Sequence, residues 1–253
     1  MAETIRPMVV DLSHWDPAND YAAVKRDGIV GVIYKATEGQ SYTDDTYPGQ
    51  QQAAKRAGLK WGSYHFADAS NVAGQIDNYL RYAAPDPDEL FSLDWEDNPS
   101  GGGRMSKDNA IAWITEVENA LDRPGECVIY SGNTAKELLG DTKSAFFGSR
   151  RLWLAQYGPT PTWQKSWETY WLWQFCDGIN GPEPHSIDGI GPCDINSFPF
   201  SAERLRAEWA SGANDVRPVP PEPGAGVVAI AMTVPEGIAV EISINGVPLL
   251  VED

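Results

Sequence analysis

The chain has 253 residues, 42% hydrophobic and 11% aromatic with ten Trp, a composition that fills a buried core and excludes disorder throughout. Its 36 acidic against 19 basic residues give a net charge of -17, which repels phosphate backbones and excludes nucleic acid as a partner. No run reaches the ~18 apolar residues of a membrane span, and the start, MAETIRPMVVDLSHW, carries no apolar signal core; the sequence predicts synthesis in the cytoplasm and no membrane partner.

Taken in chain order, eight short apolar runs alternate with helix-like segments: PMVVDLS, IVGVIYKATEG, LKWGSYHFAD, LFSLDWED, CVIYSGN, LWLAQYG, YWLWQFCD and GPCDINSF. Helices are predicted near 21–27, 46–57, 71–83, 106–121, 133–139 and 201–210. In the fourth, Ser106 is an N-cap with Asp108 in the first turn, and Ala110, Trp113, Ile114, Val117 and Leu121 form one apolar stripe for a sheet. Strands interleaved with helices predict an α/β fold with a parallel sheet and right-handed crossovers: a (β/α) TIM-like barrel with a reduced helix complement. The alternative is an open doubly wound sheet. The barrel occupies 1–211. A linker rich in Pro and Gly follows at 212–226, and then a short β meander at 227–253 with Ile238, Val240, Ile242 and Ile244 on one face and a hairpin turn at Asn245-Gly246. So small a meander needs its apolar face covered, by its own barrel or by self-association into a homo-oligomer.

In such barrels the reacting groups sit at strand ends on one mouth. Here the runs end in Asp11, Glu38, His65, Asp94 with Glu96, and Asp194. A single strand-end Asp commonly caps the next helix, but five such ends in one chain weaken that explanation. Residues two apart in a strand face the same side, roughly 6.5 Å apart at Cα, so Asp94 and Glu96 point together into the mouth with Trp95 turned toward the helices. That pairing suits glycosidic bond cleavage, where one carboxyl protonates the leaving oxygen and another stabilises charge at the anomeric carbon. Crowding keeps one member protonated near neutral pH. Paired carboxylates also bind Ca²⁺ or Mg²⁺, with Asn98 the one extra ligand nearby. Aromatic supply favours sugar: Tyr34, Tyr64, Tyr130, Trp153, Tyr157, Trp171 and Trp173 lie on or just after strands, and flat rings cover pyranose C–H faces.

Three His and three Cys without Cys-x-x-Cys or His-x-x-x-His spacing give no metal site, and no cofactor motif meets its context: GAGVVA at 224–229 follows prolines, not a strand. Cys127, Cys176 and Cys193 read as free buried thiols, although Cys176 and Cys193 flank a loop that a disulfide can close.

The motifs DLSHWDP at 11–17, YKATEG at 34–39, GSYHF at 62–66, LDWED at 93–97, WLAQY at 153–157, WLWQF at 171–175 and CDINSF at 193–198, in that order over residues 7–211, resemble glycoside hydrolase family 25, the Chalaropsis-type lysozymes of phage endolysins and bacterial autolysins. The family's first motif often reads Asp-x-Ser-x-x-Gln, where this chain has Asp16. The resemblance implies N-acetylmuramidase activity on the β-1,4 bond between N-acetylmuramic acid and N-acetylglucosamine in peptidoglycan, exerted on the cell wall without a cofactor. It implies Glu96 as general acid and base. Asp94 would support a retaining reaction through the substrate's acetamido group, and Asp11 and Asp194 would complete the acidic cluster. Glu38, Tyr64 and His65 would be substrate or supporting contacts, a strand histidine hydrogen-bonded in the wall being the alternative for His65, with Tyr34, Tyr130, Tyr157 and Trp173 as further aromatic contacts. The rival readings are a catalytically silent glycan-binding module, which need not keep acids at both 94 and 96, and an amidase or peptidase, which would want zinc ligands or a Cys/His pair.

Overall fold

The computed structural model describes residues 5–99, 101–211, 243–244 and 247–248. Strand β1 (Pro7–Leu12) pairs in parallel with β2 (Gly31–Glu38). The parallel ladder continues through β3 (Lys60–Phe66), β4 (Leu90–Asp94), β5 (Val128–Ser131), β6 (Arg151–Ala155) and β7 (Leu172–Asp177). A last strand, β8 (Asp194–Ser197), joins β7 to β1 and closes the ring, so the open sheet is overturned.

That last strand corrects the expectation of an all-parallel barrel, for β8 runs antiparallel to both neighbours. The reason lies in its connection. Parallel neighbours need a crossover that carries the chain back to its starting end. Between β7 and β8 there is only a two-residue ribbon, Ser186–Ile187 with Gly191–Pro192. The chain therefore re-enters the sheet at the end where β7 finished, and Asp194 sits at the beginning of its strand, opposite Asp11.

Helices α1 (Tyr21–Arg26), α2 (Tyr47–Ala57), α3 (Val72–Tyr82), α4 (Lys107–Leu121), α5 (Asn133–Leu139), α6 (Ala145–Gly148) and α7 (Ala202–Glu208) are those of the described residues. The short α6, capped by Ser144, was not expected from the sequence, and no helix follows β6 or β7. Ser106 caps α4 by accepting from Asn109 N, and Ala110, Trp113, Ile114 and Val117 are buried against the sheet as the stripe predicted, with Leu121 packed at the edge.

Alternation divides the strands into two cores. Val10, Leu12, Val32, Tyr34, Trp61, Phe91, Leu93, Trp95, Ile129, Leu152 and Leu154 face the helices. Val9, Ile33, Leu90, Val128, Tyr130, Trp153 and Leu172 face inward and, with Trp209, plug the barrel. Trp209 donates to Trp61 O at 2.6 Å, and a Cβ at Gly31 would lie 2.4 Å from its ring, so glycine is required there. Filling one end leaves the other as the mouth.

The chain divides into two compact units, Met1–Asn214 and Asp215–Asp253. In the second, Ser243–Ile244 pairs antiparallel with Val247–Pro248, on either side of the Asn-Gly at 245–246. The linker and the rest of 227–253, with the self-association expected of them, lie outside the described residues. Among the described residues no helix is long and apolar enough to cross a membrane, and Cys127, Cys176 and Cys193 are free and buried.

Candidate active site

Inward-facing positions near the mouth carry Asp11 from β1, Lys35 from β2, Tyr64 from β3, Asp94 from β4, Tyr130 from β5, Gln174 from β7, and Asp194 and Asn196 from β8. Trp95 turns outward as expected: it stacks on Phe147 at 5.0 Å and donates from Nε1 to Met105 O at 2.9 Å. Glu96, one residue further, returns to the mouth, half-buried, within the electrostatic reach of Asp11.

The carboxyls do not share one environment. Asp11 is held by amides: Gln174 Nε2 donates to its two oxygens at 2.9 and 3.0 Å, and Asn196 Nδ2 donates to Oδ2 at 2.7 Å. Gln174 Nε2 also reaches Asp194 Oδ2 at 3.3 Å, while its Oε1 accepts from Tyr130 OH and Tyr157 OH, both at 2.9 Å. Turning the amide over would set its oxygen against two carboxyls, so the orientation follows from the partners. Asn196 is fixed in turn by Trp153, whose Nε1 donates to Asn196 Oδ1 at 2.5 Å. Burial pushes Asp11 up to about 6, against the hydrogen bonds from Asn196 and Gln174 that favour its charge. Asp194, lifted by burial and by the Asp11 charge, rises to about 10 and is the protonated member of that couple.

Across the mouth, Asp94 is buried and its Oδ1 has no hydrogen-bond partner. Burial first, and then the charge of Glu96, raise it well above the carboxyl range, while Lys35 pulls the other way. Glu96 is raised to about 7 by burial and by Asp11 and Asp97, again opposed by Lys35. The pair therefore retains a proton through neutral pH.

Glu38 reaches this side through a register shift between Lys35 and Thr37. Strict alternation from Tyr34 and Ala36 would turn it toward the helices; the shift brings it beside Lys35, whose Nζ donates to Glu38 Oε2 at 2.5 Å, and Asn98 Nδ2 donates to Oε1 at 2.8 Å. Burial would raise Glu38, but these two partners more than offset it, and its pKa is lowered.

Two expected contacts, Tyr34 and Trp173, are corrected, and His65 takes the wall position that was the alternative to a sugar contact. His65 is fully buried in the wall, with Nδ1 on Thr37 Oγ1 at 2.7 Å, Nε2 on Gln75 Oε1 at 3.0 Å and its ring stacked on Trp113 at 5.3 Å; burial lowers it to about 4, so it is neutral. Tyr34 is fully buried, stacked on Trp61 at 5.6 Å with its hydroxyl on Thr46. Trp173 points to the outer layer and donates to Gln156 O at 2.7 Å. All three occupy outward positions of their strands. Tyr64 does face the acids, Tyr130 and Tyr157 reach them through Gln174, and Tyr157 is also exposed at the rim. Lys35, Gln174 and Asn196 were missed by the sequence reading. Their signal was available in the same alternation, since Gln174 lies two residues from Leu172 and Asn196 two from Asp194. Asp16, the departure from the family motif, pins its own loop: Oδ1 accepts from Ser13 N at 2.8 Å and from Ser13 Oγ at 3.2 Å.

A barrel with a proton-sharing carboxyl pair at one end of a strand and an amide-held carboxyl couple facing it is the architecture of a glycoside hydrolase. The model of the glycosyl hydrolases family 25 matches residues 10–183, and the chain belongs to that family. It is 28% identical over 218 residues to Lysozyme M1 of Streptomyces globisporus, covering 81% of this chain and 72% of that one. It is 39% identical over 194 residues to the autolytic lysozyme of Clostridium acetobutylicum, covering 75% of this chain and 55% of that protein's length. Among solved structures, the bacterial lysozyme of Streptomyces coelicolor matches with a TM-score of 0.68 at 28% identity over 82% of this chain and 99% of that one. The family GH25 lysozyme of Aspergillus fumigatus gives 0.65 at 30% over 81% and 99%.

Proposed function

We propose that the protein is a lysozyme that hydrolyses the β-1,4 bond between N-acetylmuramic acid and N-acetylglucosamine in bacterial peptidoglycan, acting on the cell wall. The observation that carries this reading is the pair at positions 94 and 96: two carboxyls sharing one mouth, both raised, one with an oxygen left open. Glu96 gives its proton to the glycosidic oxygen as that bond breaks. The acetamido oxygen of the sugar closes on the anomeric carbon, and Asp94 Oδ1 accepts the acetamido N–H. Water then opens the ring so formed, losing its proton to Glu96, with configuration retained.

An N–H arriving at Asp94 Oδ1 favours the Asp94 anion, the state that accepts from the acetamido group. Asp11, its charge held by three amide N–H contacts, and Asp194, carrying a proton, line the same mouth as acceptor and donor for sugar polar groups. A catalytically silent glycan binder has no need of a carboxyl whose burial is left uncompensated at Asp94.

Glu96→Gln tests the reading. Turbidity loss of bacterial walls and the appearance of muramic acid reducing ends should fall by ~10³-fold or more while the protein stays folded and still binds glycan. Undiminished lysis by this variant would remove the acid assignment.

A further inference from the structure

We propose that Trp15 and Ile179 form a saccharide platform on the rim above β1, β7 and β8, taking one N-acetylhexosamine ring of the glycan strand. The inference rests on the glycan-hydrolysing reading and adds to it a site outside the carboxyl pair. Trp15 is 84% exposed and Ile179 78%, well beyond the other large apolar side chains among the described residues. A cavity of about 370 Å³, within the usual range for small-molecule sites, has both on its edge and Asp11, Tyr64 and Asp194 in its wall.

Neither side chain is exposed because its loop is loose. His14 N donates to buried Asp44 Oδ2 at 2.9 Å, Trp15 N donates to Ser13 Oγ at 3.2 Å, and Asp16 clasps Ser13; the His14 ring lies 4.5 Å from the Trp15 ring. On the facing loop, Asp177 Oδ1 accepts from Ile179 N at 3.0 Å and Asn180 N at 2.6 Å, and its Oδ2 accepts from Asn180 Nδ2 at 2.9 Å. Two loops closed on themselves thus hold out one apolar group each across a polar floor. An indole held out in water on a pinned backbone forgoes the burial available to it, and a ligand that covers it need not order the loop. A pyranose suits the arrangement: its C–H face lies on the indole and Ile179, and its hydroxyl and amide hydrogens find acceptors in Asp16 and Asp177. The wall shared with Asp11 and Asp194 makes this ring a neighbour of the one at the carboxyl pair, on the same strand.

The test is calorimetric titration of the full-length Glu96→Gln protein with a soluble, uncross-linked glycan strand, with and without Trp15→Ala. Trp15→Ala should weaken the dissociation constant about tenfold, Trp15→Tyr should restore most of the loss, and Ile179→Ser should weaken binding by a smaller factor. Phe200→Ala, at an exposed ring on the outer wall, should leave binding unchanged. Equal affinity with and without Trp15 overturns the platform and leaves the carboxyl reading standing. Absence of binding by the Glu96→Gln protein itself overturns the glycan reading and the platform together.

Discussion

The two sides of the mouth carry the same functional groups in opposite states. On the β1–β7–β8 side, Asp11 receives three amide contacts and Gln174 is engaged at both ends. On the β4 side, Asp94 is as deeply buried and its Oδ1 has no partner. A saturated carboxyl keeps its charge in a fixed place at neutral pH, because its hydrogen bonds offset part of the cost of burial. An unsaturated one is costly to bury and stays protonated until something supplies an N–H or a positive charge. On the proposed reading, the contrast separates a wall that holds substrate from a pair that reacts with it.

Breaking the open side should cost most. Glu96→Gln removes the transferable proton, and Asp94→Asn, which puts a fixed neutral group where an anion is needed, should lower kcat by ~10²-fold or more with KM little changed, read from reducing-end release on soluble strands. Gln174→Glu converts the satisfied side into a third carboxyl facing Asp11 and Asp194. Added negative charge raises the proton affinity of its neighbours, so activity should fall at least ~tenfold and the pH profile should move upward; a merely structural defect would lower the rate without moving the profile. The smallest effect is expected at Asp194→Asn. Asp194 already carries a proton at neutral pH, and the amide is its neutral analogue, so the loss should stay within ~threefold. Asp11→Asn, which removes a held charge, should be clearly worse in the same assay.

Much of this was legible in the chain. The eight apolar runs are the eight barrel strands, and the alternation applied to Asp94, Trp95 and Glu96 gives the directions found, with Trp95 against Phe147. The same rule, applied to Tyr34, His65 and Trp173, would have sent them outward; being aromatic or titratable near a strand end says nothing about which face a side chain occupies. Glu38 escapes the rule through the register shift after Lys35, which no residue type announces. The direction of β8 was hidden because a run of apolar residues has no polarity, and only the length and content of the preceding connection decide it. Gln174 and Asn196 were overlooked because amides carry no charge, although here they decide which carboxyl keeps its charge.

The most direct measurement is the titration of the Glu96 side-chain carboxyl carbon by NMR in the full-length protein, identified by its loss in Glu96→Gln. A transition near pH 7 is expected, with the proton held to higher pH than in the unfolded chain. The rate should then decline as pH rises through that value, because the acid form is being lost. A Glu96 that titrates near 4.5, with Asp94 titrating beside it as an ordinary carboxylate, would contradict the shared proton and the mechanism built on it.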